Sequence, residues 1–219
     1  MMKKLAYYFV YLVCYVAFCN CSYAAIIDTS KHPFYVGLTG GYGQTTWEGL
    51  VPPESKQNIA MALSTPTYVS EGGVAWGLFA GYELIPYFAI EAAYTHYPNA
   101  KVSFDSSSIF TFENDNASYF ITKTESISLM GKIMMYIPHT SFRAYSSLGL
   151  AEVHRSDILN NHWVGSPTFG AGLNYNITEH IMAELGGSYT AGKGQSELNP
   201  INNYFPFLYT LFLGIAYRF

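Results

Sequence analysis

Beyond residue 33, apolar and polar positions alternate at period two along most of the chain. In the final segment Phe207, Tyr209, Leu211, Leu213, Ile215, Tyr217 and Phe219 fall on one side, and Thr210, Gly214, Ala216 and Arg218 on the other. Phe88, Ile90, Ala92 and Tyr94 alternate with Glu91, Ala93 and Thr95, and Phe169, Ala171, Leu173, Tyr175 and Ile177 with Gly170, Gly172 and Asn174. Successive side chains of a strand point to opposite faces, so each segment carries one lipid-like face and one small or polar face. A helical period fits none of them. The pattern predicts eight strands over about 34–43, 73–83, 87–97, 119–136, 142–152, 166–177, 180–190 and 206–219.

The connections sharpen this. Three are tight, at 84–86, 137–141 and 178–179, and four are long, at about 44–72, 98–118, 153–165 and 191–205. The long ones are rich in Ser, Asn, Pro, Gly and acidic residues. Long and short alternate strictly, as in an up-and-down barrel with short periplasmic turns and long extracellular loops. Closure also pairs every backbone donor and acceptor, which hydrocarbon demands. Gly40, Gly81, Gly170, Gly172 and Gly214 are read as places where a narrow barrel bends or needs interior room. Tyr42, Trp76, Tyr87, Tyr136, Trp163 and Tyr189, near strand ends, are read as interfacial girdles.

Composition excludes several classes. Only 12% of the 219 residues are charged, against about a quarter in soluble domains, while half are apolar, so neither an ordinary soluble surface nor disorder fits. With 11 Lys plus Arg against 15 Asp plus Glu, there is no basic excess to neutralise nucleic-acid phosphates. Residues 1–24 read as a cleaved export signal: Lys3 and Lys4, an apolar run from Leu5 to Phe18, then Ser22, Tyr23 and Ala24, with the barrel over 25–219. That run is shorter than the roughly 20 residues a spanning helix needs. Cys14, Cys19 and Cys21 all lie within it or just after, so the exported chain is expected to hold no disulfide. No cofactor is expected, and His154 with His162 is too sparse a pair to imply a metal.

The stretch from Ser166 to Thr178, followed by His180 to Leu185, resembles the sixth strand, turn and seventh strand of the outer-membrane barrel superfamily typified by the OmpA transmembrane domain and OmpX. Gly214, Tyr217 and Phe219 resemble the C-terminal signal read by the β-barrel assembly machinery. The resemblance implies an all-β, eight-stranded antiparallel transmembrane barrel in a bacterial outer membrane, in contact with its lipid and lipopolysaccharide. It is expected here without the periplasmic peptidoglycan-binding domain of OmpA. The resemblance covers about residues 33 to 219 and identifies architecture better than activity.

Three groups of residues are candidates for function. Glu91, Lys132, Arg143, Glu184 and Arg218 fall on the inward register and are read as a lumen charge network, a structural plug in preference to an ion gate. His154, Arg155, Ser156 and Asp157 are read at the start of the third long loop. A His-x-Ser pair occurs in barrel lipid A deacylases, but on an outward strand face, so an ordinary polar loop is expected here. Trp47, Leu50, Ile59 and Met61 are more apolar than a solvated loop needs, and are read as a barrel cap or as contacts for a host or surface ligand. Carboxylates such as Glu71 and Asp157 outnumber cations such as Lys101 and Arg155 at that end and are read as a solvated rim. The expected role is therefore not enzymatic: envelope support and adhesin-like surface contacts through four loops. A small ion-conducting pore is the alternative, and a lipid A-modifying enzyme the third.

Overall fold

The computed structural model describes residues 31–52, 63–109, 118–138, 140–194 and 204–219. The expected export signal, Ile59 and Met61 lie outside the described residues. Among the described residues ten strands follow in order: β1 (Phe34–Thr45), β2 (Tyr68–Ser70), β3 (Gly73–Ile85), β4 (Phe88–His96), β5 (Ala100–Ser103), β6 (Tyr119–Tyr136), β7 (Phe142–Ser156), β8 (Asn161–Asn176), β9 (Ile181–Thr190) and β10 (Leu208–Arg218). Eight of them, all but β2 and β5, pair antiparallel with both neighbours, and the β1–β10 and β6–β7 pairings close the ring.

The period-two pattern sets which face meets what. Leu38, Leu129, Leu211 and Leu213 point outward and are each about 60% exposed, an apolar surface that only hydrocarbon covers without penalty. The inward register carries glycine, serine, threonine and charge, which fit a narrow lumen. At Gly81 the reason is steric: a Cβ there would stand 2.2 Å from the Tyr35 ring. Gly172 and Gly186 likewise flank the Tyr145 hydroxyl, where added Cβ atoms would fall 2.6 and 2.1 Å from it. Gly40 does not belong with these. It faces outward, and a Cβ there would meet nothing.

Two expectations need correction. The third long loop does not exist: β7 and β8 run on to Ser156 and from Asn161, leaving residues 157–160 as a tight hairpin turn. Asp157 closes that turn by accepting the Leu159 and Asn160 N–H groups, each at 2.9 Å. The strand was hidden because its outward positions, His154, Ser156 and Asn161, are polar there, so neither face shows an apolar run. Within the first and second long connections lie β2 and β5; β2 pairs with β5, and β5 in turn with the upper end of β6. The sheet thus continues above the membrane as a small shelf.

Candidate functional site

The lumen holds two charged triplets. In the first, Lys132 Nζ on β6 lies 2.9 Å from Glu91 on β4 and 2.9 Å from Glu184 on β9. The Tyr35 hydroxyl donates to Glu91 at 2.8 Å, and the ammonium stands 4.0 Å from the Tyr145 ring centroid. In the second, Glu83 on β3 accepts from Arg143 at 2.8 Å and from Arg218 on β10. One triplet carries one cation and two anions, the other two cations and one anion, so the six charges balance. All six are buried, and Arg143 and Arg218 are fully so. Charges withdrawn from water persist only when matched in this way. Glu83 is the member the sequence reading missed. Its signal was available, since it shares the inward parity of Phe79 and Gly81.

Above the first triplet lies an internal cavity of about 60 Å³. Its walls alternate hydroxyl groups, among them Thr39, Ser126, Ser147, Thr168 and Thr210, with apolar side chains such as Phe79, Met130 and Phe212, and Glu91 and Glu184 stand at its floor. The space suits a few water molecules. Tyr97, Val153, Phe205 and Leu208 pack together as a buried cluster toward the extracellular end.

The extracellular end carries a cap with its own core. Trp47, Leu50, Val69, Ala100, Val102, Phe104, Phe120 and Tyr204 form a buried cluster drawn from the first connection, β2, β5, the top of β6 and the segment before β10. Trp47 and Leu50 are 0% and 3% exposed, so they hold the cap together and are not offered to a partner. This corrects their reading as loop contacts. Arg155 reaches up from β7: its guanidinium lies 4.6 Å from the Trp47 ring centroid, Nη1 donates to the Tyr204 carbonyl at 2.7 Å, and Nε to Asp157 at 2.6 Å. Arg155 and Asp157 are therefore a buried pair and not part of a solvated rim. Glu71 is also structural. Its carboxylate accepts from the Thr45 hydroxyl at 2.6 Å and from the Trp47 and Glu48 N–H groups at 2.8 and 3.1 Å. Burial pushes the Glu71 carboxyl above its ordinary range, more than these hydrogen bonds pull it down.

His154 and Ser156 stand on an outward strand face, contrary to the loop expectation. His154 Nε2 is engaged by Asn161 Oδ1 at 2.8 Å, and its ring stacks on Trp163 at 4.4 Å. The pair belongs to a polar patch of the outer wall. At the seam, Gly214 opposes Thr39, while Tyr217 and Phe219 face outward with rings 5.0 Å apart. Among the described residues no group of three or more His, Cys, Asp or Glu could hold a metal ion.

A closed eight-stranded antiparallel barrel with an apolar outer face, a charged lumen and an extracellular cap defines an outer-membrane barrel protein. The chain belongs to the outer membrane protein beta-barrel domain family, whose model matches residues 12–219. It resides in the bacterial outer membrane. It is 26% identical to an uncharacterized protein of Coxiella burnetii, over 88% of this chain and 87% of that one. In fold it is similar to Neisserial surface protein A (TM-score 0.51, 15% identity, 85% of this chain and 97% of that chain). The same holds for OprG from Pseudomonas aeruginosa (TM-score 0.50, 13% identity, 86% and 97%) and AlkL (TM-score 0.50, 14% identity, 90% and 94%). At these identities the likeness is one of fold.

Proposed function

We propose that this protein is a non-enzymatic surface barrel that supports the envelope and presents its extracellular cap for contacts with cells, lipopolysaccharide or other surface molecules. The observation that carries this reading is the pairing of a charge-filled lumen with a cap that has its own buried core. A filled lumen suits a support better than a passage, and a packed cap offers a fixed surface. Tyr68, Ile109 and Ile158 are exposed there and are the residues that replace Trp47 and Leu50 as contact candidates. Assembly through the β-barrel assembly machinery, reading Gly214, Tyr217 and Phe219, belongs to the same proposal, as does cleavage after Ala24.

The cavity above the Lys132 triplet, partly lined by hydroxyls, favours one second reading, a small ion-conducting pore in which that triplet is the gate. Conductance of the refolded protein in a planar bilayer separates the two. A silent bilayer, with Glu91→Ala and Lys132→Ala affecting stability alone, supports the barrel as a support. Discrete openings that change in those variants overturn it in favour of the pore. Cell binding by Tyr68→Ala and Ile109→Ala variants tests the contact surface, and unchanged binding removes it.

A further inference from the structure

The outer wall is not uniform near its extracellular edge. On β8, β9 and β10 it carries Phe169, Tyr189 and Tyr209, with ring centroids 6.4 and 5.1 Å apart in turn, as an ordinary aromatic girdle does. On β6, β7 and the top of β8 the outward positions are instead two register-paired rows, Glu125–His154–Trp163 and, above it, Lys123–Ser156–Asn161. A carboxylate, an ammonium, an imidazole, a hydroxyl, an amide and an indole thus share one small area of wall.

Several details make this area a seat in preference to a scatter of polar side chains. His154 is fixed from two sides, by the stacked Trp163 ring and by Asn161. Glu125 lies 3.4 Å from His96 Nδ1 on β4, so its carboxylate has a partner other than Lys123. Trp163 is 47% exposed. On the membrane side of Trp163 the next outward residue of β8 is Gly165, where a Cβ would first meet Glu152 at 3.6 Å. A notch one side chain wide therefore opens beneath the indole, bordered on its β7 side by the Glu152 carboxylate.

The height of the patch identifies what meets it. From Met135 at the foot of β6 to Glu125 are ten residues, which at about 3.4 Å per residue and a tilt near 40° rise roughly 26 Å, the height of a barrel's apolar band. The upper row then stands at the level of lipid headgroups. An exposed lysine there attracts anionic headgroups, and charged donors are strong partners for phosphate.

We propose that these two rows form a binding site for the phosphorylated saccharide headgroup of an outer-leaflet glycolipid of the lipid A class. Lys123 and Ser156 take a phosphate, Asn161 and Glu125 bond sugar hydroxyls, Trp163 lies against the sugar ring, and the Gly165 notch receives the amide head of an acyl chain, whose N–H can donate to Glu152. The proposal deepens the lipopolysaccharide contact suggested above but uses the barrel wall, not the cap or the lumen. Its failure would leave conductance and cell binding untouched as separate questions.

Native mass spectrometry of the refolded protein in neutral detergent tests it, with bis-phosphorylated lipid A, dephosphorylated lipid A and phosphatidylethanolamine as probes. The expected result is a single lipid A adduct, about five- to tenfold weaker with Lys123→Ala, Trp163→Leu or the dephosphorylated lipid. Gly165→Leu fills the notch without changing charge and is expected to weaken the adduct as well. Heat-modified gel migration establishes that each variant has folded. Equal adducts in the protein and its variants, or equal uptake of phosphatidylethanolamine, would overturn the site.

Discussion

Lys132 Nζ sits 2.9 Å from each carboxylate oxygen of Glu184, on a strand that does not pair with its own. The contact crosses the lumen and ties β6 to β9 through the barrel interior. Replacing Lys132 with Met removes the cation and leaves Glu91 and Glu184 facing each other without it. Loss of one partner of a buried pair costs about 3–5 kcal/mol, so Lys132→Met is expected to unfold at markedly lower urea in lipid vesicles. Restoring neutrality with Glu91→Gln and Glu184→Gln in the same chain should return much of that stability. A Lys132→Met protein as stable as the parent would show that the triplet does not hold the strands together.

The second triplet makes a separable prediction. Glu83 is the acceptor shared by Arg143 and Arg218, so Glu83→Gln leaves two guanidinium charges beside one another without their counter-charge. A loss of about 3–5 kcal/mol is expected. Adding Arg143→Met to Glu83→Gln removes one of the stranded charges and should be milder than Glu83→Gln alone. Urea unfolding of the single and double variants measures the difference.

Steric fit gives a paired test within the wall. Gly81→Ala drives a methyl group into the Tyr35 ring and is expected to cost about 1–3 kcal/mol. Gly40→Ala meets open space on the lipid face, and its expected change is within about 0.5 kcal/mol. Equal unfolding midpoints for the two would refute the distinction between inward and outward glycines drawn from the register.

Inside the hydrocarbon layer the sequence was readable because the outward face there is continuously apolar, as in β10 from Tyr209 to Tyr217. Alternation in that setting is enforced by two solvents, lipid and lumen. Above the membrane that contrast disappears, and with it the signal. His154, Ser156 and Asn161 therefore looked like loop although they are strand, and β2 and β5, of three and four residues, were too short to show a period. Trp47 and Leu50 stood out as apolar, yet whether they faced a core or a partner depends on Val69, Val102 and Phe120, which join them only through folding. Inward charges were legible by parity, and Glu83 was equally so. The partners of each charge were not, because Lys132 and Glu184 meet across the barrel and not along a pairing register.

The cap supplies the pH prediction. Glu71 holds the turn at Trp47 through three hydrogen bonds, but burial raises its carboxyl above the ordinary range, so folding shifts its balance toward the neutral form relative to the unfolded chain. For an acid whose folded value is raised, the contribution to stability is complete below the unfolded value and is lost as pH rises through the folded one. The cap should accordingly be tightest in mild acid and loosen toward neutrality, while the barrel in its membrane stays intact. Trp47 reports this directly, since it is fully buried whereas Trp76 and Trp163 are each about half exposed on the outer wall. With Trp76→Phe and Trp163→Phe in place, Trp47 fluorescence should shift to the red as pH rises, together with faster proteolysis within the cap. Glu71→Gln keeps one acceptor oxygen, which can serve the Thr45 and Trp47 donors, and does not titrate, so its emission should be level across the range. A red shift that persists unchanged in Glu71→Gln would place the pH dependence elsewhere in the cap.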